Sequence, residues 1–290
     1  MLIEQGSIKN PTVSDLVEIY LSHCVKKPLR PIKARTLEKK RSILNTFVVL
    51  FGAKSPRTMN EKSVADWLKA TYPNANPTTL KDRIVEVKAV WGHAMKRGMI
   101  SRNPMSLIQT PTPSQRTHHI PFPRWPELLA ACPNDRLRAI VEFMLYTGAR
   151  PQEVVILQPD DWEGSCFTLP VERAKGGQHE RIIHVPNFLL PSIDSFVAEK
   201  RDFVFTNTRG GRWDKNSLNC AFQKLKKALG DPDLCATSCR HSFATWKLGA
   251  GVAIETVAKL MGHSSTRMVY ARYAKWNKTS LLTDGANAGL

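Results

Sequence analysis

Arg150 stands where an apolar helical run stops at Gly148 and a new helix opens at Pro151, within Tyr146-Thr147-Gly148-Ala149-Arg150-Pro151-Gln152-Glu153. Helix N-termini leave backbone N–H groups unpaired and carry positive dipole character, proline suits the first helical position, and an arginine just ahead adds a full charge. A junction of this kind is suited to holding phosphate. A second arginine, Arg240, lies in Thr237-Ser238-Cys239-Arg240-His241-Ser242-Phe243-Ala244. The run Leu260-Met261-Gly262-His263-Ser264-Ser265 precedes a segment with two tyrosines, Tyr270 and Tyr273, and Lys175 stands in Ala174-Lys175-Gly176-Gly177-Gln178-His179. Taken singly, these signals are weak. A run like that around Arg150 arises by chance in helical proteins, Lys175 reads as a solvent-exposed turn lysine, and a histidine after a glycine at a helix end reads as a structural cap.

Composition narrows the choice. A formal net charge of +17 and a pI near 9.8 on 290 residues imply a polyanionic partner, most simply nucleic acid, because Lys and Arg that neutralise phosphates release condensed counterions. The bland alternative is a merely soluble basic surface. Against it, residues 1–110 hold 19 Lys and Arg against 8 Asp and Glu, whereas 111–290 hold 23 against 17. The segment 26–41 alone supplies Lys26, Lys27, Arg30, Lys33, Arg35, Lys39, Lys40 and Arg41, and a solvated face mixes signs more evenly. These eight residues are the candidate DNA contacts. A hydrophobic content of 42% suffices for real cores, and no apolar run reaches the ~18 residues of a membrane span. The first residues lack a charged stretch followed by an apolar one, so no secretory signal and a cytoplasmic location are expected.

The elements that must position these residues follow from periodicity. Helical spacing predicts helices over 13–24, 34–51, from about 60 through Val64, Trp67 and Leu68, and over 78–97. These make a four-helix N-terminal domain over 10–108. The proline-containing polar stretch 109–119 reads as a linker. A second domain over 120–276 is expected to hold helices at 136–147, 151–157, 186–199, 216–229, 238–248, 252–261 and 267–276. Short strands at 166–171 and 181–185 form a hairpin around Lys175. The expected fold is mainly α, with two domains and one small antiparallel β-hairpin sheet, followed by a tail over 277–290.

Six cysteines, Cys24, Cys132, Cys166, Cys220, Cys235 and Cys239, are scattered rather than framed for disulfides. Cys235, Cys239, His241 and His263 suggest zinc, but the first two have no second compact ligand pair, so no metal is expected.

The ordered set, arginine, hairpin lysine, arginine–histidine pair, Gly-His-Ser-Ser turn and tyrosine, resembles the tyrosine recombinase or phage integrase family over nearly the whole chain. The resemblance implies that the two domains clamp duplex DNA carrying a core recombination site, and that four copies assemble there. It implies strand exchange through a 3′-phosphotyrosyl intermediate that stores the phosphodiester bond energy without metal, ATP or other cofactor. In this reading Arg150 and Arg240 stabilise phosphate charge, Lys175 protonates the departing 5′-oxygen, and His263 donates to the phosphate or takes part in proton transfer. Glu153 makes structural hydrogen bonds or charge pairs, and His241 is a buried partner.

Two departures matter. The family's usual histidine three residues before Arg240 is Thr237 here, which cannot act as a base near neutral pH. His263 covers that role, water does, or the enzyme is slow; a DNA-binding relative without catalysis is a further alternative. The family's usual tyrosine register falls on Arg272, between Tyr270 and Tyr273. Tyr273 is the chosen nucleophile because Tyr273-Ala274-Lys275-Trp276 looks like the ending of one branch of phage-type integrases, and Tyr270 is expected to pack beneath it. Within the tail, Leu281 and Leu282 could anchor a neighbouring subunit, although a disordered tail fits equally. The first helical pattern opens within some ten residues of the start, so recognition of a core site alone is expected, without an arm-site domain. A type IB topoisomerase shares the chemistry and is the enzymatic rival.

Overall fold

A computed structural model describes residues 10–26, 32–113, 118–174 and 179–273. The chain divides into two compact units, 1–115 and 116–290. Residues 114–117 of the expected linker lie outside the described residues, as do Lys27, Arg30, Lys175 and the tail.

In the first unit, α1 (Val13–Val25) starts at Thr12, whose hydroxyl accepts from Asp15 N while the Asp15 carboxylate takes the Thr12 N–H. Helix α1 packs against α2 (Ala34–Phe51) and α4 (Pro77–Lys96), and α3 (Glu61–Thr71) closes on α2. The core centres on Phe47, whose ring meets Trp67 and Trp91 edge-on with centroids 5.2 and 5.8 Å away. Both indoles are buried with their N–H groups satisfied, by Thr46 Oγ1 and Pro56 O, each at 3.1 Å.

On α2 the basic segment is not uniform. Lys33, Arg35, Lys39 and Arg41 are exposed, as is Lys26 at the end of α1, although Lys39 pairs with Asp82 at 3.0 Å. Lys40 departs from the expectation of a DNA contact. It lies on the stripe of Ile43, Leu44 and Phe47, and its ammonium bonds Glu86 at 2.5 Å and Tyr20 Oη at 3.3 Å. One helical turn before the buried stripe, position 40 is turned toward α1 and α4.

The second unit is mainly helical: α5 (Trp125–Ala130), α6 (Asp135–Thr147), α7 (Pro151–Val154), α8 (Leu190–Ala198), α9 (Lys215–Ala228), α10 (Ala236–Gly249), α11 (Ile254–Leu260) and α12 (Arg267–Tyr273). Strand β1 (Cys166–Leu169) pairs antiparallel with β2 (Arg181–His184), with Leu169 opposite Arg181 and Phe167 opposite Ile183. Helix α10 runs through the middle, against α6, α9, α11 and α12. Helix α5 was not anticipated, because prolines crowd its approach. Pro126 at its second position, within the first turn, is compatible with a helix start, and Trp125, 1% exposed, donates from its indole to Ile120 O at 2.9 Å. The predicted 151–157 helix is one turn shorter, ending at Val154. Among the described residues, no helix is long and apolar enough to cross a membrane.

Candidate active site

Two left-handed glycines shape the site. Helix α6 ends at Gly148, with φ of 65°, where an added Cβ would lie 2.4 Å from the Phe243 ring of α10. Only glycine satisfies both the backbone angle and that approach. Helix α11 ends in the same way at Gly262, φ 64°. There Gly262 N donates to Lys259 O at 2.8 Å and His263 N to Ala258 O at 2.9 Å, a Schellman closure that presents His263 just past the helix.

Arg150 caps α7. Its backbone N–H donates to Glu153 Oε2 at 2.9 Å, its Nη1 to Glu153 Oε1 at 2.6 Å, and its Nη2 to Gly262 O at 3.2 Å. At the opening of α7 the Glu153 carboxylate thus takes the Arg150 backbone N–H and pairs with its guanidinium. Arg240, 6% exposed, donates from Nη1 to Gly148 O at 2.5 Å and from Nη2 to Met261 O at 2.7 Å and His263 Nε2 at 2.6 Å. Burial, then the like charge of Arg150, depresses its pKa to about 9, which leaves it protonated at neutral pH.

Because guanidinium only donates, His263 Nε2 must be the acceptor and the ring proton sits on Nδ1. That Nδ1 is buried and has no partner among the described residues. Burial first, and then the charges of Arg240, Arg150, Arg272 and Arg181, hold the His263 pKa down to about 4. His263 is therefore a neutral donor. Its basic lone pair is committed to Arg240, which removes it from the role of base that Thr237 leaves empty. Thr237 itself is exposed in the first turn of α10.

Arg181 was missed in the sequence. Its signal was an arginine in phase with Ile183 on an alternating strand, on the inward face. Its Nε meets Glu153 Oε2 at 3.4 Å, and its Nη2 donates to Leu260 O at 2.8 Å. Arg181, Arg240 and Arg150 thus hold three consecutive carbonyls, Leu260, Met261 and Gly262, at the negative end of α11. Among the described residues, Glu153, 3% exposed, is the one carboxylate bonded to two of them. Burial pushes its pKa up, but Arg181 and Arg150 outweigh this and hold it below the usual value. Three arginines against one carboxylate leave a cationic surplus at the turn.

Of the two tyrosines, Tyr273 is 2% exposed and Tyr270 is 64% exposed. Tyr270 therefore does not pack beneath Tyr273. The seven-residue helix turns Val269 and Tyr273 inward, beside Phe243 of α10 and Met261. The Tyr273 hydroxyl hydrogen-bonds His241 Nδ1. Burial pushes the phenol up to about 12 despite the opposing charges of Arg240 and Arg272. His241, 4% exposed, is held down to about 4 by burial and then by Arg272, Arg240, His119 and His118. The segment before α5 is pinned to α10: His118 Nδ1 meets Ser238 Oγ at 3.0 Å and Ile120 N donates to Ser242 Oγ at 2.7 Å. His118 Nε2 pairs with Asp231 at 3.0 Å. Among the described residues, no group of three or more His, Cys, Asp or Glu could hold a metal ion.

Comparison with known proteins gives one family model, the phage integrase family, which matches residues 123–280. The chain is 24% identical over 280 residues to a tyrosine recombinase of Thermosipho africanus, covering 92% of this chain and 96% of that one. It is 24% identical over 287 residues to the tyrosine recombinase XerD of Listeria monocytogenes, covering 91% and 95%. Among solved structures, its fold is similar to the Tn1549 transposon integrase in complex with transposon right end DNA, with a TM-score of 0.72 at 16% identity and coverage of 90% and 94%. It is also similar to a lambda integrase tetramer bound to a Holliday junction, with a TM-score of 0.76 at 16% identity and coverage of 92% and 78%.

Proposed function

The chain belongs to the phage integrase family, the tyrosine recombinases, and from that premise we propose that it cleaves and rejoins duplex DNA at a specific site with Tyr273 as nucleophile. The observation that carries the assignment is the convergence of Arg150, Arg240 and His263 on one turn, with the hydroxyl of Tyr273 close enough to Arg240 to feel its charge. The arginine N–H groups not bonded to protein take the non-bridging oxygens of the scissile phosphate. The His263 Nδ1–H, buried without a partner among the described residues, adds a neutral donor. Preorganised donors of this kind are each worth about 10²–10³ in rate.

Attack by the Tyr273 oxygen forms an O–P bond and breaks the bond to the 5′-oxygen. That oxygen leaves as a hydroxyl with a proton from Lys175, which lies outside the described residues. The 3′-phosphotyrosyl bond keeps the energy for attack by the 5′-hydroxyl of a second duplex. Two duplexes with two subunits each require a tetramer on DNA, and the exposed cations Lys26, Lys33, Arg35 and Arg41 supply phosphate contacts from the first unit. The protein works in the cytoplasm, on chromosomal or element DNA.

The test is trapping. Nicked suicide duplexes tiled across the DNA flanking the gene are incubated with the protein, and any DNA-linked peptide is mapped by mass spectrometry. An adduct on Tyr273 is expected. An adduct on Tyr270 keeps the activity and overturns the nucleophile. Tight binding to a proven site without any adduct identifies a non-catalytic relative. Mass photometry on DNA carrying the site, expected to give four protomers on two duplexes, tests the assembly.

A further inference from the structure

The base for the tyrosine is missing from its expected position, and one histidine touches the tyrosine oxygen. Thr237 and His241 are four residues apart in α10, on the same face and one turn from each other. Thr237 is exposed and has no basic group, whereas His241 Nδ1 is hydrogen-bonded to the Tyr273 hydroxyl. Resting on the recombinase reading above, we propose that His241 is the general base of strand cleavage, taking the Tyr273 proton in place of the residue at 237.

In the tautomer competent for cleavage, the phenol donates its hydrogen to Nδ1 and the His241 ring proton is on Nε2. Donation to Nδ1 leaves the lone pairs of the tyrosine oxygen for phosphorus. In the step, the Tyr273 O–H bond breaks, its proton goes to Nδ1, the oxygen's electron pair forms the bond to phosphorus, and the 5′-oxygen leaves with the proton from Lys175. Resealing runs the same path backwards: the 5′-hydroxyl attacks, and the imidazolium returns its proton to the departing phenolate.

The electrostatics make this base conditional on substrate. Without DNA, burial holds His241 low, followed by Arg272 on α12, Arg240 on its own helix, and then His119 and His118 in the segment pinned to α10. The phenol on α12 is held high. Proton transfer is therefore uphill at rest and the nucleophile stays protonated. A phosphate anion seated on Arg240 offsets the charge that opposes protonation of His241. The same anion that is the substrate thereby raises the basicity of the imidazole.

The experiment uses the full chain and the trapping duplexes in single turnover, with wild type, His241→Asn and His241→Gln. The Asn carbonyl lies near the position of Nδ1 and accepts the tyrosine hydrogen bond without being able to take the proton. Unchanged DNA affinity serves as the check on folding, and Gln supplies the test if Asn fails it. Loss of the base costs about a hundredfold or more near neutral pH. The variant rate is then expected to climb about tenfold per pH unit towards the tyrosine range, while wild type stays flat. A duplex with a sulfur in place of the bridging 5′-oxygen leaves without protonation, so it should restore Lys175→Ala but not His241→Asn. Wild-type rates in His241→Asn, or a loss of equal factor at every pH, would mean that His241 only positions the tyrosine and would overturn the proposal. Failure of wild type to form any adduct on a proven site overturns the recombinase reading itself and the base with it.

Discussion

Arg181 lies so close beneath Gly262 that a Cβ added there would meet its Nε at 2.6 Å and its Cδ at 2.7 Å. The strand of one hairpin thus fixes the turn that carries His263 and supplies carbonyls to Arg150 and Arg240.

Gly262→Ala should therefore act at a distance. The added methyl forces Arg181 away from Leu260 O, and the positive φ strains alanine by about 1 kcal/mol or more. A lower melting temperature is expected, together with a fall in the trapped-adduct rate of about a hundredfold from displaced donors. DNA affinity should stay close to wild type. An unchanged adduct rate at a lowered melting temperature would show that the turn tolerates the shift.

Glu153 gives an acid-side prediction. Its pKa is lowered in the folded state, so its ionisation stabilises the protein above the unfolded value of 4.5, and that contribution is lost as pH falls through the lower folded value. Glu153→Gln should cost about 3 kcal/mol at neutral pH by leaving two arginines undercompensated. Urea denaturation against pH checks it. The variant should lose less stability than wild type below pH 4.5.

The two histidines predict a separate window. His241 and His263 are held to about 4 from an ordinary 6.5, so between those values the unfolded chain binds protons that the folded chain does not. Their contribution is complete above 6.5 and falls as pH drops towards 4. A His241→Gln/His263→Gln double variant should flatten that slope in denaturant titrations, whatever its catalytic rate.

The basic segment on α2 separates into two behaviours. Arg35→Ala and Arg41→Ala should weaken DNA binding across all sequences and reduce the salt slope by about 1 each. Lys40→Ala should lower the melting temperature of the N-terminal unit, since it breaks the bonds to Glu86 and Tyr20, and should leave the salt slope nearly unchanged. Fluorescence anisotropy at several salt concentrations distinguishes them.

Much of this molecule was legible before folding. Periodicity and caps located α1, α2, α4, α6 and the hairpin, because amphipathic stripes and capping residues act within a few positions of one another. The glycine at 148 and the arginine and proline that follow marked the first junction for the same local reason. Helix α5 has no counterpart among the expected elements: prolines at 121, 123 and 126 break up its periodicity, whereas the burial of Trp125 decides that segment.

The sequence by itself determined the helical segments, the basic balance, and the order of arginines, histidine and tyrosine along the chain. The tertiary structure decided which atoms meet. It turned Lys40 inward, committed the His263 lone pair to Arg240, chose Tyr273 over Tyr270 for the interior, and brought Arg181 from a strand onto a helix end. The inward phase of Lys40 and Arg181 is periodic along their own elements, but the partners they meet have no local signal. These pairings arise where elements far apart in sequence approach through two glycines without side chains, and where buried charges must find partners once water is gone.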